Sequence, residues 1–315
     1  MARNYTPVHP ELRQRARTFP RIPFNRRNVG LFQWLTRLQP KRKAPDDIQV
    51  DQIYVQSQEQ KQRIGLRVYR PKAMNPDAPV LLWMHGGGLI IGSPQQNDRP
   101  VFQIVRHTGI VVVSVDYRLA PNHPFPAPLD DCYAALKWVH AHAATLGIDP
   151  NRIGIGGESA GGGLAASLVQ LAHDRGEISP IFQLLIYPML DDRSALRTDV
   201  AQGELLTWTP QNNRFGWESY LGHACGFDHV LPYAVPARRE DLTGLPPTWI
   251  GVGTLDLFYD ENVDYARELQ RSGVDCELVV IKGAFHGFDQ LDHDLPVVQA
   301  FRQSQIDALR KYLAA

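Results

Sequence analysis

Residues Arg152 to Gly163 read RIGIGGESAGGG, which is the most informative segment of the sequence. A short apolar run over 153–156 is followed by the turn GESAG at 157–161 and by an alanine-rich helical pattern over 160–175. A nucleophile raised on such a tight turn has strained backbone angles and crowded neighbours, so the flanking glycines are needed. The pattern predicts a reactive serine, Ser159, between a strand and a helix. A glycine-rich packing turn or a phosphate loop is the alternative, but the Walker lysine is absent.

A second glycine-rich stretch follows the apolar run VLLWM at 80–84. Residues 85–88 read His-Gly-Gly-Gly, and successive glycines let backbone amides turn toward a developing oxyanion with no Cβ in the way. A plain flexible loop would explain this stretch taken alone. Because it occurs together with the serine turn, we interpret it as an oxyanion-binding loop.

The composition is that of an ordinary globular protein. Of the 315 residues 43% are hydrophobic, and 33 basic residues balance 33 acidic ones. This excludes global disorder and argues against a nucleic-acid partner. Cys132, Cys225 and Cys276 have no CxxC spacing, so neither a disulfide framework nor a zinc site is expected. With no apolar run near the ~20 residues of a membrane span and no secretory signal, we expect a cytoplasmic protein without stable membrane insertion.

From about residue 50 onward, strand patterns alternate with helical patterns. Two half-buried strands are expected at 52–58 and 63–70. Strands covered on both faces are expected at 80–84, 110–115, 153–156, 182–187, 249–252 and 277–281. Helices are expected at 99–107, 129–146, 160–175, 260–272 and 297–313. The alternation predicts an α/β fold with a mostly parallel sheet and helices on both faces.

Two segments depart from this alternation. Residues 1–45 hold 11 Lys or Arg and one acid, Glu11, which is compatible with a basic arm for phosphate or membrane surfaces. We favour short amphipathic helices with a solvated basic face, because their apolar side chains need burial. These side chains are Phe24, Leu31, Phe32, Trp34, Leu35 and Leu38. Residues 190–245 are rich in aromatic residues and turn formers without a strand period, which predicts a lid or cap.

An activated serine needs a base, and the base needs an orienting acid. His286 lies in GAFHGF, on a turn after the last predicted strand, where a loop at the carboxyl edge of the sheet brings its ring over the serine. Asp256, which follows the strand before it, is the best-placed acid. Asp191 and Asp192, after the Tyr187 strand, remain alternatives.

A metal cluster can also be written from this region, with His286, Asp289, Asp292 and His293 as ligands. No helical spacing puts the two imidazoles on one face, so we expect neither a metal site nor any other cofactor.

Together these motifs resemble the hormone-sensitive-lipase-like branch of the α/β-hydrolase esterases, over about residues 50–315. The motifs are HGGG at 85–88, DYRLAP at 116–121, GESAGGG at 157–163 and the Asp256 and His286 segments. The resemblance implies an eight-stranded α/β-hydrolase core over 49–189 and 246–315. It also implies a helical cap made of the N-terminal segment 1–48 and the insertion 190–245.

The resemblance also assigns roles to individual residues. It implies Ser159 as nucleophile, His286 as base, Asp256 as acid, and an oxyanion hole made by the amides of Gly87, Gly88 and Ala160. His85, Gly86, Glu158 and the 116–118 segment are expected to support that loop. Two departures from the family pattern are Glu158, where Asp is more usual, and the lack of a proline after Asp256.

The expected reaction is cofactor-free hydrolysis of short- to medium-chain carboxylic esters through an acyl-enzyme. The partner is therefore a small-molecule ester substrate, and homodimer formation stays open. Hydrolysis of amides, lactones or carbamates uses the same triad and is an alternative. A non-catalytic small-molecule receptor on the same fold is a second alternative, although a receptor has no need to keep a base and its acid.

Overall fold

The core of the protein is one eight-stranded sheet. It is seen in a computed structural model that describes residues 5–19, 22–39, 42–57, 62–198, 206–290 and 293–314. Its strands are β1 (Ile48–Gln56), β2 (Arg63–Pro71), β3 (Ala78–Met84), β4 (Val111–Asp116), β5 (Ile148–Glu158), β6 (Phe182–Ile186), β7 (Thr248–Leu255) and β8 (Cys276–Phe285). They lie in the order β1-β2-β4-β3-β5-β6-β7-β8, and β2 is antiparallel to both of its neighbours while the other pairs are parallel. The predicted fold class is confirmed.

Helices cover both faces of this sheet. They are α1 (Arg13–Thr18), α2 (Val29–Arg37), α3 (Asp98–Thr108), α4 (Ala127–Ala141), α5 (Ala143–Leu146), α6 (Ala160–Arg175), α7 (Pro210–Leu221), α8 (Tyr259–Arg271) and α9 (Pro296–Leu309). One hydrophobic cluster joins α4, α6 and α8 to the sheet, and a second joins α1, α3 and α9 to it. Such two-sided cover explains the continuous apolar runs of the central strands. The expectation is wrong for 277–281, because β8 lies at the second edge of the sheet and these residues are exposed or only partly buried.

The first two strands differ from each other in burial. The edge strand β1 alternates between buried and exposed positions, as its sequence pattern predicts, although residue 58 at its expected end lies outside the described residues. The expectation of a half-buried second strand is wrong, because β2 is buried along most of its length. It lies between β1 and β4 and both α3 and α4 pack on it, so neither face is open to solvent.

The ends of four strands bring the predicted site residues to one edge of the sheet. Ser159 follows β5, the HGGG stretch follows β3, Asp256 follows β7 and His286 follows β8. Neighbouring strands end in register, with Met84 beside Gly157 and Leu255 beside Phe285. The carboxyl edge of a parallel sheet is where open α/β folds bind their ligands.

The described parts of the N-terminal segment and of the 190–245 insertion pack against each other at this edge. A third hydrophobic cluster contains Val29 from α2, Trp208 and Trp217 from the insertion, and Leu89 and Phe258 from the core. The side chain of Asn212 on α7 accepts from the Phe24 amide at 2.9 Å and donates to the Ile22 carbonyl oxygen at 2.8 Å. The boundaries assigned to the cap and the core stay predictions.

The burial expected for the N-terminal side chains is only partly found. Phe24 and Phe32 are partly covered, but the expectation is wrong for Leu31, Trp34, Leu35 and Leu38, which are exposed. The cause is that α2 carries apolar residues on two faces, and only the face with Val29 packs against the core.

Within the described ranges, no helix combines the length and the apolar character that crossing a membrane requires. The cysteines Cys132, Cys225 and Cys276 are buried and free of disulfide bonds.

Candidate active site

Ser159 occupies a strained turn between β5 and α6. Its φ of 55° and ψ of −123° place a non-glycine residue in a backbone region that L side chains rarely adopt. A Cβ at Gly157 would fall 2.3 Å from the Gly161 carbonyl oxygen, and one at Gly161 would fall 2.2 Å from that of Met84. The turn therefore requires glycine at both positions, for the steric reason that the sequence suggested. The Ser159 amide donates to the Ile186 carbonyl oxygen at 2.8 Å, which fixes the turn to β6.

A chain of two hydrogen bonds links Ser159, His286 and Asp256. Ser159 Oγ lies 2.8 Å from His286 Nε2, and His286 Nδ1 lies 2.8 Å from Asp256 Oδ2. An ionised carboxylate can only accept, so Nδ1 carries the imidazole proton and Nε2 offers a lone pair to the serine hydroxyl. The structure thus brings together the three residues that the sequence predicted.

The surroundings of Asp256 and His286 hold this arrangement in place. The Asp256 side chain is fully buried, and its second oxygen, Oδ1, accepts from the Phe258 amide at 2.9 Å. The imidazole of His286 makes T-shaped contacts with the rings of Tyr187 and Phe258, with centroids 4.8 and 5.0 Å away. The backbone carbonyl of His286 also accepts from the Thr207 hydroxyl at 2.7 Å. The ring is therefore restrained by two aromatic neighbours and through its main chain.

The two alternative acids lie elsewhere. Asp191 pairs with Arg193 at 2.7 Å. Asp192 pairs with Arg238 at 2.7 Å and accepts from the Gly226 amide at 2.7 Å. Both carboxylates therefore pair with arginines of the insertion, and it is Asp256 that contacts the imidazole.

The HGGG loop lines the cavity above Ser159. Gly87 and Gly88 both have positive φ, and within the described part of the chain no acceptor takes the amide hydrogen of either. Ala160 is the first residue of α6, where backbone amides lack an intrahelical partner. Of the three amides predicted for the oxyanion hole, that of Ala160 lies directly after Ser159, and those of Gly87 and Gly88 lie in the HGGG loop.

His85 begins this loop, but it is fully buried and does not line the cavity. Its ring stacks on Tyr117 at 4.3 Å between centroids, and Nδ1 lies 2.8 Å from the Gly86 carbonyl oxygen. The Tyr117 hydroxyl donates to the His85 carbonyl oxygen at 2.7 Å. Complete burial lowers the pKa of His85 to about 4, so its ring is neutral near pH 7. In the same segment, Arg118 pairs with Asp131 at 2.8 Å.

Glu158 connects two loops of the site. Its carboxylate accepts from Gln96 at 3.3 Å and from Gln290 through a short hydrogen bond, and burial raises its pKa above the ordinary value. Gln96 also donates to the Gly86 carbonyl oxygen at 3.2 Å. Neither glutamine lies in a recognisable motif, so the sequence offered no signal for either of them.

A cavity of about 260 Å³ lies at Ser159 and the HGGG loop. Its wall includes Gly87, Gly88, Ser159 and His286 from the core, together with the aromatic side chains Phe19, Phe24, Tyr187 and Trp208. Trp208 is held by a hydrogen bond of 3.3 Å from its indole nitrogen to Asn213. Of these four aromatic residues only Trp208 belongs to the 190–245 insertion, whose aromatic content predicts a cap, while Phe19 and Phe24 belong to the N-terminal segment. We call these three side chains the roof of the cavity.

Two of the residues considered for a metal cluster, His286 and Asp289, have other partners. His286 contacts Ser159 and Asp256, while Asp289 accepts from the Tyr187 hydroxyl at 2.7 Å and lies 3.5 Å from Arg302. Asp292 lies outside the described residues.

Residues 81–290 match the family described as the alpha/beta hydrolase fold. The chain belongs to this α/β-hydrolase family. It is 37% identical to the carboxylesterase NlhH of Mycobacterium tuberculosis, over 80% of this chain and 79% of that protein. It is 36% identical to the esterase LipI of the same species, over 71% of each chain.

Solved structures agree with this assignment. A bacterial heroin esterase superposes with a TM-score of 0.90 and is 34% identical, over 98% of this chain and 99% of that one. Together, these comparisons confirm the family expected from the motifs and the predicted enzyme class, a serine hydrolase with carboxylesterase relatives.

Proposed function

We propose that this α/β-hydrolase cleaves carboxylic esters with Ser159 as nucleophile, His286 as general base and Asp256 as the orienting acid. The observation that carries the proposal is the continuous hydrogen-bond chain from Ser159 Oγ through both imidazole nitrogens to Asp256. The names of its relatives, which are carboxylesterases and esterases, support ester hydrolysis as the reaction.

The reaction proceeds in two acyl-transfer steps. His286 Nε2 removes the proton from Ser159 Oγ as the oxygen attacks the ester carbonyl, and the same proton passes to the departing alkoxide. The C–O bond to the alcohol breaks and an acyl-enzyme remains on Ser159. Water then gives a proton to His286 and attacks the acyl carbonyl, after which Ser159 leaves and regains its proton. Asp256 keeps Nδ1 protonated and stabilises the imidazolium in both steps.

The developing oxyanion is held by the amides of Gly87, Gly88 and Ala160. Two facts support this role: the amides of the two glycines have no other acceptor among the described residues, and Ala160 begins a helix whose N-terminal dipole favours negative charge. In enzymes that use this mechanism, each such donor raises kcat by a factor of about 10²–10³.

The cavity favours small substrates. Its volume of about 260 Å³ falls below the roughly 300–1,000 Å³ typical of pockets for drug-sized ligands. The lining is mainly apolar and Trp208 lies across the loop of Gly88, so each acyl methylene gains at most about 0.8 kcal/mol until it meets the wall. We therefore expect the highest activity on esters with acyl chains of about two to eight carbons.

A series of p-nitrophenyl esters of increasing acyl length tests this function. We expect kcat/KM to peak at short or medium chains and to decline steeply toward sixteen carbons. Trp208→Ala should shift the peak to longer acyl chains, because it removes part of the roof. For each variant we compare the rate on a long ester with the rate on a short ester. This ratio does not depend on the amount of folded enzyme, because both rates scale with it equally. A folded protein inert toward every ester would favour the receptor alternative instead.

A further inference from the structure

Helix α2 presents an apolar stripe to solvent. Leu31, Trp34, Leu35 and Leu38 are 56%, 57%, 43% and 57% exposed. Their spacing of three and four residues aligns them along one side of the helix. A stripe of large side chains that are all exposed in this way marks a surface that other molecules contact.

Basic residues flank this stripe in the sequence. Residues 22–43 contain six Lys or Arg and neither Asp nor Glu. Arg26, Arg27, Arg42 and Lys43 are exposed, and none of the four forms an ion pair within the described ranges. The segment is thus both apolar and cationic, although the whole chain has no net charge.

The opposite side of α2 is fixed to the core. Gln33 donates to the carbonyl oxygens of Ile90 and Ala120, each at 2.9 Å, and Val29 is buried. The Ser93 hydroxyl donates to the Thr36 carbonyl oxygen at 3.3 Å. These contacts hold the helix in one orientation, so the stripe faces outward as a consequence of the folded structure.

We propose that α2 and its flanking cations dock the enzyme on the surface of a bilayer that contains anionic phospholipids. A helix with Trp and Leu on one side and Arg and Lys around them is the pattern of interfacial helices, whose apolar side chains enter the headgroup boundary while the cations contact lipid phosphates. The contact is peripheral and reversible, and it involves neither Ser159 nor the cavity above it.

A second copy of the chain fits this surface less well. Two copies meeting through α2 would bring two sets of the same unpaired cations together, with no acid between residues 22 and 43 to neutralise them. The nine-residue helix is about 13 Å long and 10 Å wide, so its footprint is far below the roughly 800 Å² per partner of a stable interface.

Sedimentation with vesicles tests the proposal. We expect the full-length enzyme to bind vesicles with about 30% phosphatidylglycerol at least about tenfold more tightly than pure phosphatidylcholine vesicles at about 0.1 M salt. The difference should shrink at about 1 M salt because the cations are then screened. All six tryptophans lie in described ranges, and Trp34 is the one that is exposed. Its fluorescence emission should therefore shift to shorter wavelength when the enzyme binds vesicles.

Matched variants locate the contact. Trp34→Ser combined with Leu38→Ser should lower vesicle binding at least about tenfold. Arg26→Gln combined with Arg27→Gln should remove most of the preference for anionic lipid. The control replaces Phe227 and Leu231 by Ser, two equally exposed apolar residues of the insertion, and should bind like the wild type. Turnover of a soluble ester, measured in every variant, reports that the enzyme is folded.

Three results would overturn the proposal. The first is a wild-type enzyme that sediments with neither kind of vesicle. The second is a Trp34→Ser, Leu38→Ser variant that still turns over ester and binds vesicles like the wild type. The third is a dimer in solution that the same two substitutions convert to a monomer, because the stripe would then belong to a contact between two copies.

Discussion

Trp208 lies so close to Gly88 that a Cβ at position 88 would fall 2.3 Å from Cη2 of the indole. Gly88 also has a φ of 62°, so a side chain there meets both a strained backbone and the roof of the cavity. The contact joins the insertion directly to the loop that we propose binds the oxyanion. Any residue larger than glycine must move that loop or the tryptophan.

Gly88→Ala is therefore expected to lower kcat on a short p-nitrophenyl ester by about 10²-fold or more, as loss of an oxyanion donor does. Adding Trp208→Ala should restore part of the rate, because it removes the collision. Gly176→Ala is the matched control: Gly176 has a φ of 63°, but a Cβ there would meet no atom within 4 Å, so the variant carries the backbone strain without the clash. Equal losses in the two alanine variants would mean that strain alone accounts for the effect.

Asp256→Asn should lower kcat by about 10⁴-fold. Asp256 accepts from both His286 and the Phe258 amide, and an asparagine can accept at only one of its two terminal atoms. If its amide faces the imidazole, Nδ1 loses its proton and Nε2 carries it, so the ring can no longer take the serine proton. Asp191→Asn is the control and should keep near-normal turnover. If Asp191→Asn lost its activity while Asp256→Asn stayed active, our assignment of Asp256 as the acid would be wrong.

The buried imidazole of His85 should make the protein less stable in mild acid. Its pKa of about 4 lies below the ordinary histidine value of 6.5, so between these values the unfolded chain binds more protons than the folded one. The contribution of His85 to the free energy of unfolding is thus fully present above pH 6.5. It declines as pH falls toward 4, by up to about 1.4 kcal/mol per pH unit.

Urea unfolding at several pH values checks this expectation. His85→Asn keeps a donor near the Gly86 carbonyl and should flatten the pH dependence of the unfolding free energy relative to the wild type. His142→Asn is the control, since the exposed His142 also stacks on an aromatic ring and also places Nδ1 against a backbone carbonyl. If the unfolding free energies of the wild type and of His85→Asn changed with pH in parallel, His85 would not contribute to this pH dependence.

The fold and the three central site residues could be predicted from the sequence because each leaves a local signal. Strands covered on both faces appear as continuous apolar runs, and the serine turn requires glycines at fixed positions, as the close contacts at Gly157 and Gly161 explain. The sequence alone does not decide between Asp256 and Asp191, because both follow neighbouring parallel strands and only the folded geometry shows which carboxylate reaches the imidazole.

Other features depend on contacts between distant residues and left no such signal. Glu158 meets Gln290 across 132 positions and Gln96 across 62, and no periodicity encodes a pairing of this kind. The burial of α2 was also misjudged, because apolar residues on two sides of a short helix do not show which side packs against the core.

The proposal that Ser159 is the nucleophile is tested most directly by treating the enzyme with an organophosphate and measuring the mass of the intact chain and of its peptides. We expect one adduct, on Ser159, with parallel loss of ester turnover. Ser159→Ala should take up none and lose at least about a thousandfold in kcat while remaining folded. Ser167→Ala, a change at a buried serine of α6, should label and turn over like the wild type. An adduct on another serine, or near-normal turnover by Ser159→Ala, would contradict the account.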